Sequence, residues 1–205
     1  MNPAFVEVEL PGSPDLLARA QAGDREAFGE LCRRHGHRLL RQATLLCGDP
    51  TLAEDLAQDT FFEAWKSLRR YHGGCRFFTW LCAILLNRYR NCRRQKRLVL
   101  ASEWNSEEQE GLAKILADAP DGNSTPDQAT ECAERGAFLL RCVEQLSPKH
   151  REVIHLRFYV DQSLDGIAAA LGCSVGTVKS RLFHALDRLR AMNSPEGRLR
   201  EHLRP

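Results

Sequence analysis

Apolar side chains recur every three or four residues along the first half of the chain, the period of an amphipathic helix. The run PDLLARAQAGDREAFGELCRRHGHRLLRQATLLCG, starting at Pro14, has Gly23 and Asp24 as a break and cap between two such helices. Gly48, Asp49 and Pro50 end that run, Thr51 to Tyr71 resumes it, and Gly73-Gly74 interrupts again. Phe77 to Arg97 then reads as one helix, apolar in its first half and strongly basic in its second.

The pattern lapses after Leu98. Between Ala101 and Arg135 stand nine Asp or Glu against two Lys or Arg, and DAPDGNSTPDQ is dense in turn formers. This composition predicts an acidic, flexible linker with one short helix around Glu107 to Leu116. Helical spacing returns from Gly136 to Met192. FLLRCVEQL is apolar on one face, and Ser147-Pro148 fits an N-cap followed by proline at the first helical position. No strand-period segment of useful length occurs. The expected fold is all-α: two small helical domains, 14–97 and 136–193, joined by an acidic linker, 98–135.

The stretch LDGIAAALGCSVGTVKSRLFHALDRLR, Leu164 to Arg190, is the most specific local pattern. Leu164, Ile167, Ala168 and Leu171 make a buried face, Gly172 permits a tight left-handed turn, and Ser174 is a good N-cap for a second helix. In that helix Val178, Leu182, Ala185, Leu186 and Leu189 form the inward stripe. Gly176, Thr177, Lys179, Ser180, Arg181, Phe183 and His184 remain outward. A small residue with hydroxyls, Lys and Arg near a helix start is the composition of a recognition helix that meets phosphates and base edges. The bland reading is a solvated face on an ordinary helical hairpin.

Charge supports a nucleic-acid role more through its placement than its sum. The chain of 205 residues has a net charge of only +2. Yet Arg76 to Arg97 contains seven Lys or Arg and no acid, interleaved with Phe77, Phe78, Trp80 and Tyr89. Phe77, Trp80, Leu81 and Ile84 read as core, but a fold does not need the basic run NRYRNCRRQKR. A second, salt-dependent contact with phosphates accounts for it. Two DNA-contacting domains on a tether suggest a protein that touches two separated DNA elements.

Other chemistry is thinly represented. The N-terminus lacks the features of a signal peptide and no apolar run reaches membrane-spanning length, so a cytoplasmic protein is expected. The eight cysteines include no C-x-x-C pair. Cys32-x-x-His35 and His72-x-x-Cys75 have metal-like spacing but read better as small buried groups and surface imidazoles. No metal site, no cofactor and no catalytic residue is expected.

Three stretches together resemble a known family. AEDLAQDTFFEAWKSL, FFTWLCAILLNRYRNCRRQKR and LSPKHREVIHLRFYVDQSLDGIAAALGCSVGTVKSRLFHALDRLR look like regions 2 and 4 of a bacterial RNA polymerase sigma factor, in the extracytoplasmic-function (ECF) group of the sigma-70 family. The resemblance spans roughly Asp15 to Arg97 and Ala137 to Met192. It implies a transcription initiation factor, not an enzyme, that binds core RNA polymerase, directs it to promoters and promotes melting. Asp55, Gln58, Asp59, Phe62 and Trp65 correspond to positions that bind the clamp helices of the largest polymerase subunit. Asn87 corresponds to a position that touches an extruded base of the −10 element, with the loop from His72 to Cys75 as one wall of the pocket. Arg88, Arg93, Arg94 and Arg97 would hold phosphates. Thr177, Lys179, Ser180, Arg181, Phe183 and His184 match the face toward the −35 element.

Asn91 stands where the family usually carries Asp, and His184 where it often carries Arg. The implied partners are core RNA polymerase, including the flap of its second largest subunit, promoter DNA, and an anti-sigma factor, which in this family is often membrane-bound. The competing readings are a helix-turn-helix regulator that does not join the polymerase, a degenerate paralogue that keeps the fold but has lost promoter binding, and, remotely, a metal or redox enzyme.

Overall fold

The computed structural model describes residues 13–100, 136 and 138–193. All regular structure among the described residues is helical. Four helices come from the N-terminal part: α1 (Ser13–Gln21), α2 (Arg25–Cys47), α3 (Pro50–Ser67) and α4 (Phe77–Leu100), with a 3-10 turn, Leu68–Arg70, after α3. The C-terminal part supplies α5 (138–144), α6 (Pro148–Ile154), α7 (Leu164–Leu171) and α8 (Val175–Asn193). A π turn, His155–Tyr159, follows α6.

The breaks fall where the chain chemistry puts them. Asp24 caps α2 by accepting hydrogen bonds from the amides of Glu26 and Ala27. Gly48 ends α2 in the left-handed region at φ 69°, and Asp49 caps α3 with Pro50 at its first position. These side chains accept from amides that a helix start leaves without partners. Ser147 occupies the N-cap of α6 as expected, yet its hydroxyl makes no capping hydrogen bond.

Two departures from the sequence reading concern helix ends. The helix expected to run to Tyr71 tightens into the 3-10 turn after Ser67. The side-chain amide of Gln21 donates to the carbonyls of Leu68 and Tyr71, at 3.2 and 2.7 Å, and so satisfies the turn from another helix. The basic helix runs on to Leu100, three residues beyond Arg97. The short helix expected near Glu107 to Leu116 lies outside the described residues.

α2, α3 and α4 pack on one another, with α1 laid against α2. Leu39, Ala43, Ala53, Ala64, Phe78, Leu81 and Leu85 are almost fully buried between them. Each buried leucine contributes roughly 1.5–3 kcal/mol relative to exposure. α6 and α7 pack against α8 around Val153, Leu156, Ile167, Val178 and Ala185. These two sets form one contiguous apolar cluster, because α4 also packs against α6, the π turn and α7.

Candidate nucleic-acid interface

The C-terminal hairpin is built as a tight two-helix corner. Gly172 has φ 62°, which lets the Cys173 amide reach back to the Ala168 carbonyl at 3.0 Å and closes α7. Ser174 then starts α8 by accepting from the Thr177 amide at 3.1 Å. Ser163 does the same for α7, accepting from Gly166 at 3.1 Å. The inward stripe is buried as expected: Ile167, Val178 and Ala185 are fully covered, with Leu186 and Leu189 partly so.

Lys179, Ser180, Phe183 and His184 are exposed on α8, and Phe183 keeps 65% of its surface open. Thr177 and Arg181 are half-buried. The Thr177 hydroxyl lies 2.9 Å from that of Ser174, so it belongs to the cap in this state. Arg181 lies over the turn, with Nη1 4.0 Å from the Cys173 sulfur. The His184 ring stacks on His150 of α6 at 6.4 Å between centroids, and Phe183 meets it edge-on at 5.5 Å. Burial, and then the nearby His184 and Arg181, push the His150 imidazolium toward its neutral form.

On the N-terminal helices, Asp55, Gln58, Asp59 and Phe62 recur at helical spacing and are all exposed along one face of α3. Phe62 is 61% exposed, with Lys66 Nζ 4.0 Å above its ring. Trp65 is half-buried instead, packed on Phe28 at 5.0 Å beside a small satellite core of Ala20, Ala27, Leu31 and Leu68. Phe61, half-buried, packs on the main core. On α4, Asn87, Arg93 and Arg94 are exposed and Arg88 is half-exposed. The Arg97 side chain lies outside the described residues.

Several contacts were not anticipated from the sequence. Arg88 Nη2 pairs with Asp59 Oδ2 at 2.5 Å, joining a residue assigned to DNA with one assigned to the polymerase. That bond is the main cause holding the Arg88 guanidinium above its ordinary pKa. Arg90 donates through Nη2 to Asn87 Oδ1 at 2.5 Å, and through Nη1 to Glu152 Oε1 on α6 at 2.7 Å. Tyr89, an interleaved aromatic, is only 8% exposed and lies in the common cluster. The basic run pointed to this stretch, but nothing local identified its acidic partners.

The metal-like spacings do not converge on a site. His35 packs against Phe77 and Phe78 at 5.5 and 5.8 Å, and burial pushes the Cys32 thiol up to about 11, which disfavours a thiolate ligand. Among the described residues no three metal-capable side chains gather. None of the described helices is long and apolar enough to cross a membrane.

Among the described residues, a helix-turn-helix at one end and a basic helix beside an acidic and aromatic face at the other define a class of helical protein whose surfaces suit DNA and a protein partner. Comparison with known proteins specifies it. Residues 31–98 match the family model Sigma-70 region 2, and residues 142–191 match Sigma-70, region 4. The RNA polymerase sigma factor NccH of Alcaligenes xylosoxydans xylosoxydans is 34% identical over 180 residues, covering 86% of this chain and 92% of that protein. The ECF RNA polymerase sigma-E factor of Escherichia coli K12 is 31% identical, covering 84% and 89%. Among solved structures, CnrH in complex with the cytosolic domain of CnrY is 29% identical with a TM-score of 0.58, covering 87% of this chain and 94% of that one. The sigma factor RpoE in complex with the anti-sigma factor NepR, from Bartonella quintana, is 28% identical with a TM-score of 0.57, covering 80% and 95%. The chain belongs to the sigma-70 family of RNA polymerase sigma factors, in its ECF group.

Proposed function

We propose that the chain initiates transcription as a non-enzymatic, cytoplasmic factor, with residues 14–97 and 136–193 as its two working domains and 98–135 as the linker between them. Asp55, Gln58, Asp59 and Phe62 bind the clamp helices of core RNA polymerase, with Trp65 behind them as a half-buried support. Asn87 takes an extruded −10 base, while Arg88, Arg93, Arg94 and Arg97 hold phosphates around it. Thr177, Lys179, Ser180, Arg181, Phe183 and His184 meet the −35 element. The observation that carries this reading is the exposed α3 face. Acids and an amide beside an aromatic open over 61% of its surface make a polar rim around an apolar anchor, the composition of a protein-binding hot spot.

His184 sets the −35 contact apart. An imidazole is shorter than a guanidinium and cannot reproduce its bidentate hold on guanine, so a single hydrogen bond or a partial charge acts there. An anti-sigma factor fits as a further partner, as in the relative co-crystallised with NepR. Run-off transcription with core polymerase on fragments of the source genome tests the reading. Discrete transcripts absent with core alone support it. Polymerase binding without transcripts points to a degenerate paralogue, and neither leaves a plain helix-turn-helix regulator.

A further inference from the structure

The recognition helix does not present His184 alone. Its ring lies on that of His150, in the first turn of α6, with centroids 6.4 Å apart and planes 24° from parallel. That separation falls inside the roughly 4.5–7 Å of favourable aromatic pairs. Phe183 meets the His184 ring edge-on, at 5.5 Å and 78°. The two imidazoles differ in access: His184 is exposed on α8, whereas His150 is half-buried. Because α6 packs along α8, the stack joins the recognition helix to the helix that supports it.

The surroundings keep His150 uncharged. Burial comes first, and the two charges that act on the ring, those of His184 and Arg181 on α8, are both cationic. No described carboxylate offsets them. On α6 itself, Arg151 turns its guanidinium onto the carbonyls of Val143, Glu144 and Leu146, and Glu152 is engaged by Arg90 of α4 at 2.7 Å. Arg93 of α4 and Glu144 of α5 act on Arg151 rather than on the ring. In the π turn the buried His155 lies on Tyr159, and Arg157 donates to the Gln162 carbonyl at 2.7 Å. Lys149 is exposed beside His150, and Asp187 and Arg188 are exposed three and four positions beyond His184.

A neutral ring can carry a charged one on its face, but two charged rings in a stack repel each other. His184 is thus the member of the pair free to take a proton. As an imidazolium it offers an N–H donor from each nitrogen and a positive charge, which suit a phosphate or the acceptors of guanine; as a neutral ring it keeps only one donor.

We propose that His150 is a positioning residue for the −35 contact: uncharged, it supports the His184 ring from behind, and His184 alone takes up a proton as it meets DNA. The proposal deepens the promoter-binding reading of α8 and rests on it. Its consequence is a promoter affinity linked to pH. Proton uptake on binding strengthens the complex at low pH, and the gain is lost as pH rises until the ring is neutral in the complex too. Without His150 behind it the charged ring is not held in place, and the gain disappears.

Histidine NMR of the full chain tests the pair without DNA. His184→Gln removes one of the two cations and should raise the titration midpoint of His150; an unmoved midpoint overturns the proposal. The contact is tested by anisotropy, with holoenzyme binding a labelled promoter duplex recovered by run-off transcription. Wild type should bind about fivefold tighter at about pH 6 than at about pH 8. His184→Gln should show no such ratio, His150→Ala should lose most of it, and His150→Phe, which keeps an uncharged face, should restore it. Each ratio is taken within one protein, so a uniform cost of substitution cancels, and His155 is common to all of them.

A wild-type ratio no larger than that of His184→Gln, or a full ratio in His150→Ala, overturns the proposal. A wild-type chain that yields no transcript with core overturns the promoter reading instead, while the His150 midpoint still reports on the pair.

Discussion

His155 gives the chain a stability that depends on pH in a window the structure defines. The ring is 3% exposed in the π turn, stacked on Tyr159 at 5.3 Å, and its Nε2 has no hydrogen-bond partner among the described residues. Burial pushes its pKa down from 6.5 to about 4. The folded protein keeps the ring neutral down to about 4, whereas the unfolded chain takes up a proton from about 6.5. Stability is therefore full above that upper value, falls as pH drops through the window, and levels off below the lower one. At about 1.4 kcal/mol per unit the whole loss is about 3 kcal/mol, of which about 2 kcal/mol falls between pH 7 and pH 5.

The perturbation is His155→Leu, which gives up the stack but removes a buried nitrogen that has no partner. At pH 7 its stability should lie within about 1 kcal/mol of wild type. Urea unfolding followed by circular dichroism at half-unit pH steps should show wild type losing about 2 kcal/mol more than the variant by pH 5. Parallel loss in the two proteins would refute the reasoning, since it would mean that His155 is not held neutral by the fold.

Other residues have separable effects. Asp55→Ala with Phe62→Ala should weaken core polymerase binding by about 2 kcal/mol without lowering the melting temperature, because both side chains are exposed; anisotropy titration with labelled protein checks it. Lys179→Ala should weaken promoter binding across sequences and reduce the slope of log affinity against log salt by about 1. Asn87→Ala should spare the closed complex and hinder melting, read by permanganate reactivity of unpaired thymines; unaltered melting would remove the base-capture assignment. Gly172→Ala should cost about 1 kcal/mol in urea unfolding, because space is open around it and only its φ of 62° resists a side chain.

The helices were legible because their punctuation is local. Asp24, Gly48, Asp49, Gly172 and Ser174 act on neighbours within a few residues, so type and spacing suffice to find them. The π turn at His155–Tyr159 was not legible: PKHREVIHLRFY reads as a plain helix, and no residue type in it marks the wider turn. Likewise Gln21 ends the 3-10 turn after α3 from about 50 positions away, which no window of sequence contains.

The same difference of range bears on the basic helix. Read locally, Arg88 and Arg90 are free cations in a basic run suited to phosphates. In the fold, Arg88 meets Asp59, 29 positions earlier, and Arg90 meets Glu152, 62 positions later. The pairs are partly exposed and contribute at most about 1 kcal/mol each, so their importance is not stability. At physiological salt the electrostatic reach is about 8 Å, and a carboxylate in contact with a guanidinium cancels most of its pull on a phosphate beyond that distance. Asp59 belongs to the face proposed to bind the polymerase, so engaging that face would also free Arg88 for DNA. Losing either carboxylate would then unmask a cation on α4, Arg88 in one case and Arg90 in the other. Asp59→Asn and Glu152→Gln should therefore each raise polymerase-independent affinity for single-stranded DNA about twofold to fivefold, and together by the product of the two. A double variant no better than either single one would show that the pairs open as one event.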